Sequence, residues 1–199
     1  MRALFPFCCP LLAFVFLSLP TNGQSGTIGV TIDTSALAGQ AGQLAFDFID
    51  GGLPSNSVTL SGVAMSGGAF GVPLFTGGAS AGGPATFLLI DSSFFNEVLL
   101  PITIGTQITF SINSTDLGPL ASSIPDSFTI FLLDSSGLPL VSTADPTGGN
   151  ALLQIDAGTN SVNVFSPMLT AAIPEPSTQM LVLFSGGLLT CLFRRFRRI

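Results

Sequence analysis

From residue 27 onward, apolar side chains recur at every second position rather than at every third or fourth. Ile28, Val30 and Ile32 alternate with Thr27, Gly29, Thr31 and Asp33, and Leu44, Phe46 and Phe48 alternate with Gln43, Ala45 and Asp47. A period of two lines up one face of an extended chain, so both stretches read as half-buried strands. The alternation returns at Val58 and Leu60, at Ile108, Phe110 and Ile112, at Phe128, Ile130 and Leu132, at Leu153 and Ile155, and at Val162 and Val164. Residues 87–90 and 94–100 are more continuously apolar, as central strands covered on both faces would be. Turn signals punctuate the series: Asp50-Gly51-Gly52, Gly105, Asp134-Ser135-Ser136-Gly137, Asp145-Pro146 and Asp156-Ala157-Gly158. Eight or nine short strands at near-regular spacing predict an all-β domain, an antiparallel β-sandwich of Greek-key or jelly-roll type spanning residues 24–172.

Two stretches depart from the strand pattern. Residues 34–39 predict a short helical turn capped by Asp33 or Thr34. Residues 67–84 hold seven glycines and predict a long surface loop or arm, either a binding element or a plain linker.

Both ends of the chain differ from the middle. Arg2 precedes an apolar run over residues 3–19, and Pro20-Thr21-Asn22-Gly23 follows, which fits a signal peptide over residues 1–23 cut after Gly23. Near the other end, residues 180–193 form 14 uncharged, mostly apolar positions ahead of Arg194, Arg195, Arg197 and Arg198. Extended back to Ser177, a helix there would reach about 26 Å against a hydrocarbon core of about 30 Å. The four arginines would hold its end at the cytoplasmic face and leave everything before it outside. Pro174 and Pro176 flank Glu175 and deny the backbone a helix, leaving an extended segment that an enzyme cleft can grip.

The order of Pro174-Glu175-Pro176, apolar segment and arginine stop over residues 173–199 resembles the PEP-CTERM sorting signal of exported bacterial proteins. The resemblance implies that an exosortase, a membrane-embedded transpeptidase-like enzyme, reads the triplet and cleaves nearby. The precursor would then sit in the inner membrane before the product reaches the cell surface or the extracellular space. A simple tail anchor is the competing reading of the same residues. More weakly, residues 32–39, 43–48, 94–97, 125–128 and 132–134 resemble the core of a group of PEP-CTERM proteins of unknown function, which implies a β-rich extracellular module and no activity.

Composition then removes most chemistries. Between Ala3 and Phe193 there is no lysine, arginine or histidine, and residues 24–173 carry nine aspartates and Glu97 against no side-chain cation. Cys8, Cys9 and Cys191 all lie in the terminal segments, so the domain has no disulfide or thiolate and depends on burial for stability. Ser-His-Asp and Ser-Lys arrangements, Walker-type phosphate loops and histidine metal sites are excluded. Nucleic acid is excluded by charge.

Only carboxylate chemistry survives, and a matrix glycan hydrolase with paired acids is one alternative, although no Trp or Tyr offers a stacking platform. Glu97 reads as a solvent-facing strand residue or a partner for a backbone donor. Calcium is the one cofactor the composition leaves open, with Asp47 beside Asp50 or Asp134 beside Ser136 as acidic turns, and no ligand set assigned. Asn113-Ser114-Thr115 has the glycosylation pattern but reads as an ordinary strand end. The sequence thus predicts a non-enzymatic structural or binding component of an exopolysaccharide or biofilm matrix. Its partners would be the exosortase, the secretion machinery, transiently the membrane, and extracellular polysaccharide. A carbohydrate-binding module is the other alternative.

Overall fold

A computed structural model describes residues 27–52, 56–115, 124–156 and 161–173. The expected signal peptide, Pro174, Glu175 and Pro176, the apolar segment, and Arg194, Arg195, Arg197 and Arg198 lie outside the described residues.

Thirteen strands occur among the described residues: β1 (Thr27–Asp33), β2 (Ala41–Ile49), β3 (Ser57–Ser66), β4 (Ala69–Phe70), β5 (Leu74–Thr76), β6 (Ala79–Gly83), β7 (Thr86–Ile90), β8 (Phe95–Thr103), β9 (Gln107–Ser114), β10 (Ser127–Leu133), β11 (Leu153–Asp156), β12 (Ser161–Val164) and β13 (Leu169–Ala172). They form two antiparallel sheets. The first runs β13-β1-β9-β3-β7-β6, and the second runs β12-β11-β10-β2-β8-β4, with β5 also paired to β8. Spatial neighbours such as β1 and β9, or β2 and β10, are far apart in the chain.

One core lies between the sheets. Ile28, Val30 and Ile32 from β1 meet Leu44, Phe46 and Phe48 from β2 there, as period-two patterning requires. Phe46 is fully buried, edge-on to Phe110 of the opposite sheet at 5.4 Å between centroids and stacked near Phe128 at 6.4 Å. Each such ring removed from water contributes about 1.5–3 kcal/mol before the entropy of ordering it.

Three expectations are corrected. Residues 67–84 are not an open loop, because β4, β5 and β6 lie within them and pair with β8 and β7. These three short strands account for most of the excess over eight or nine. Strands β7 and β8, which hold residues 87–90 and most of 94–100, are paired on both sides but not covered on both faces. β7 and β8 each stand one strand from an edge and alternate buried and half-exposed positions, because only the core face is covered. Val162 and Val164 are only partly sheltered at the edge strand β12, with Val164 at 44 % exposure. The expected helical turn forms, as a 3-10 helix over Ser35–Leu37, and of its two candidate caps it is Asp33 rather than Thr34 that serves. Asp33 Oδ1 accepts from the Ser35 N–H and hydroxyl, while the Thr34 hydroxyl donates to Gly105 O.

Register fixes which loops share an end. Gly29 opposes Ala172 and Thr27 opposes Asn113, so the chain enters β1 and leaves β13 at the same end of the molecule. The connections after β2, β7 and β9 converge at that end too. Buried Asp126 joins them: its Oδ1 accepts from Gly51 N and its Oδ2 from Asn56 Nδ2, both at 2.7 Å. Asn56 N donates to Asp91 Oδ2 at 2.7 Å, and the Thr115 hydroxyl donates to Asn56 Oδ1 at 3.3 Å. A Cβ at Gly51 would collide with the carbonyl oxygens of Ile124 and Pro125, so the closeness of these loops requires glycine.

Candidate functional site

Strand alternation places a second set of side chains on the outer face of the second sheet. Reading the register across it, Thr76 opposes Glu97, Glu97 opposes Asp47, Asp47 opposes Thr129, Thr129 opposes Gln154, and Gln154 opposes Asn163. On β2, β8, β10 and β11 the apolar neighbours along the strand point into the core instead: Phe46 and Phe48, Val98, Phe128 and Ile130, Leu153 and Ile155. Six strands therefore contribute one polar row. Leu74, Leu99, Ala45 and Phe131 border it on one side, and Phe95 and Ile49 on the other, by the same register.

At the centre of the row stand two acids. Glu97 stands on the outer face of β8, as expected of a solvent-facing strand residue, but it is half-buried and its partner is Asp47 rather than a backbone donor. Burial pushes the Asp47 carboxyl up to about 7, and the charge of Glu97 and a hydrogen bond between the two add to the rise. Burial also raises Glu97, opposed by its hydrogen bond with Asp47. Below the pH at which Asp47 titrates, the pair can share one proton, with protonated Asp47 donating to the Glu97 carboxylate. Asp47 Oδ1 is buried and has no hydrogen-bond partner.

Asp50, Asp134 and Asp145 are committed to their own loops. Asp50 Oδ1 accepts from Gly52 N at 2.6 Å, and Asp134 Oδ1 accepts from Ser136 N and Leu138 N at 2.7 and 2.9 Å. These are Asx turns, in which the carboxylate satisfies backbone two to four residues on. Asp145 binds Thr147 N, the Thr147 hydroxyl and Ala151 N in the same manner. Among the described residues no group of three or more acids, histidines or cysteines is placed to hold a metal ion. Asn113 is exposed on β9, and the Thr115 hydroxyl accepts from Ser57 N.

An open apolar pocket of about 320 Å³ lies beside β7 and β8, lined by Val63, Phe70, Pro73, Phe87 and Leu100 among others. None of its lining residues can titrate or act as a nucleophile. Sequence reasoning missed the Asp47–Glu97 pairing and the Asp126 joint, because both depend on register and loop convergence. The alternation that turns Asp47 and Glu97 outward was visible.

Neither a curated protein nor a solved structure matches the chain. The C-terminal region does match a family model, the PEP-CTERM protein-sorting motif, over residues 172–198. Its first matched residue, Ala172, is the last residue of β13. The domain is therefore followed directly by a PEP-CTERM protein-sorting motif, which supports an exported protein sorted by an exosortase and implies a membrane-anchored precursor before processing.

Proposed function

We propose that the chain is a structural or binding component of the cell surface or of an exopolysaccharide or biofilm matrix, without enzymatic turnover and without a resident cofactor. The observation that carries this is the sorting motif fused to the end of an anionic all-β domain. Net negative charge keeps such a domain soluble in a hydrated matrix. The carboxyl pair supports the non-enzymatic reading. Glycosidases hold their two carboxyls about 5–5.5 Å apart in retaining enzymes and about 6.5–9.5 Å in inverting ones, whereas a hydrogen-bonded pair is closer than either. The test is terminal-peptide mass spectrometry on native protein from the membrane and extracellular fractions. Extracellular chains beginning near Gln24 and ending near residues 174–176 are expected. Chains that all end at Ile199 in the membrane fraction would refute release from the membrane.

The polar row across the second sheet favours one specific form of this role, a carbohydrate-binding module. Sugars present hydroxyls between apolar C–H faces, and a polar line between apolar borders is complementary to them. Polysaccharide pull-down with the exported domain is expected to succeed and to weaken on Gln154→Ala or Asn163→Ala. Retention unchanged by both substitutions would remove the row from the binding account.

A further inference from the structure

The end of the domain from which the chain leaves β13 is also its most apolar exposed end. Ile90, Phe94, Phe95, Ile124 and Ile173 lie there, five of the eleven exposed large apolar side chains among the described residues. Phe94 and Ile124 are 75 % and 74 % exposed. They are neighbours through the end of β2: Asp50 N donates to Phe94 O, and adjacent Gly51 packs against the carbonyl of Ile124. Toward the opposite end, where residues 34–40, 104–106 and 134–138 turn, the described exposed large apolar side chains are Leu138 and, opposite Ile102, Phe70.

The anchored precursor decides what covers this end. Ile173 is the first residue beyond β13, and the apolar run begins at Met180. Seven fully extended residues reach about 25 Å, so this end is confined close to the bilayer surface whenever the tail is inserted. The described acids of this end are engaged in hydrogen bonds. Asp126 is buried in its own, Asp50 and Asp91 each bind backbone N–H groups of the β2–β3 connection, and Asp156 accepts from Gln154 Nε2 and the Ser161 hydroxyl.

We propose that in the precursor this end of the domain docks on the bilayer, with Phe94 and Ile124 entering the headgroup region of zwitterionic lipid. The inference rests on the membrane-anchored precursor. Burial of two apolar side chains at a tethered surface needs no basic patch, because the tail already supplies the local concentration. Docking holds β13 and the adjoining sorting signal at membrane depth, where a membrane-embedded protease works. Cleavage releases the tether and with it the contact.

The chain has no tryptophan, so a single introduced one reports its own surroundings. Full-length Phe94→Trp, Ile124→Trp, Leu138→Trp and Phe184→Trp variants are reconstituted in phosphatidylcholine vesicles with or without shallow brominated acyl chains. Docking predicts blue-shifted emission and about twofold or greater quenching at positions 94 and 124, comparable to position 184, with none at 138. Quenching at 184 but not at 94 and 124 overturns docking while leaving the anchor intact. Absence of quenching at 184 overturns the anchored precursor, and docking with it. A blue shift at 94 that grows with protein density and ignores bromination assigns the surface to a second copy of the chain and also overturns the proposal.

Discussion

The Asp47–Glu97 pair makes the stability of the domain fall as pH rises, against the usual behaviour of carboxylates. In the folded chain Asp47 titrates near 7, and its ordinary value is 3.8. Between those values the folded state holds one more proton than the unfolded state, so unfolding releases a proton and becomes easier with each step up in pH. Stability is fully present below about pH 4 and is lost through pH 7. Each pH step costs about 1.4 kcal/mol, so the whole window is worth at most ~4 kcal/mol, and water reaching the half-buried Glu97 reduces it to about 2–4 kcal/mol. The acids held low, Asp33 and Asp145, act around and below pH 4, outside this window. Asp47→Asn keeps a donor for Glu97 and removes the titration. Urea unfolding of the exported domain, followed by far-ultraviolet circular dichroism from pH 5 to pH 8, is the assay, since phenylalanine is the only aromatic residue in the chain. Wild type is expected to lose stability across the range, and Asp47→Asn to lose clearly less and to exceed wild type at pH 8, its remaining decline belonging to Glu97, which burial also raises. A level wild-type profile, or an equal decline in the variant, would refute the shared proton.

Further outcomes follow from other parts of the molecule. Phe46→Ala empties a site bounded by Phe110 and Phe128 and is expected to cost about 3–5 kcal/mol, read as a lower urea midpoint at unchanged slope. Asp126→Ala strands Gly51 N–H and the Asn56 amide in the interior, with an expected loss of at least ~2 kcal/mol and faster amide exchange in the joined loops. Gly51→Ala forces apart backbones already in contact and should cost about 1–3 kcal/mol in thermal unfolding. Glu175→Ala is expected to leave full-length chain in the membrane fraction by immunoblot, whereas a plain tail anchor would fractionate as wild type does.

Period two was a sufficient guide to β1, β2, β9 and β10 because each has one face on the core and one in water, so burial and sequence share a rhythm. The guide failed where other forces set the backbone. Residues 67–84 pair as β4, β5 and β6 although glycine and proline obscure any alternation, since neighbouring strands supply the hydrogen bonds. Continuous apolarity wrongly suggested a second covering layer over β7 and β8, whose outer-face residues, such as Leu88 and Leu99, are only half-buried. Asp126 gave no signal at all: its role exists only once three connections meet. The sorting signal was legible because it is read as a linear string and needs no fold.

The register of β13 on β1 also determines how the domain bears a load. While the sorting tail is attached, tension toward the membrane pulls β13 along its own axis, and any grip on the far end of the domain pulls β1 and its neighbours the other way. The four registered pairs from Gly29 with Ala172 to Ile32 with Leu169 then resist together, as a lap joint does under shear. Tension between the two chain ends, which leave side by side, would instead open the same joint one pair at a time from Ala172 inward. The domain is thus built to hold when pulled from its tip and to peel when pulled from its base.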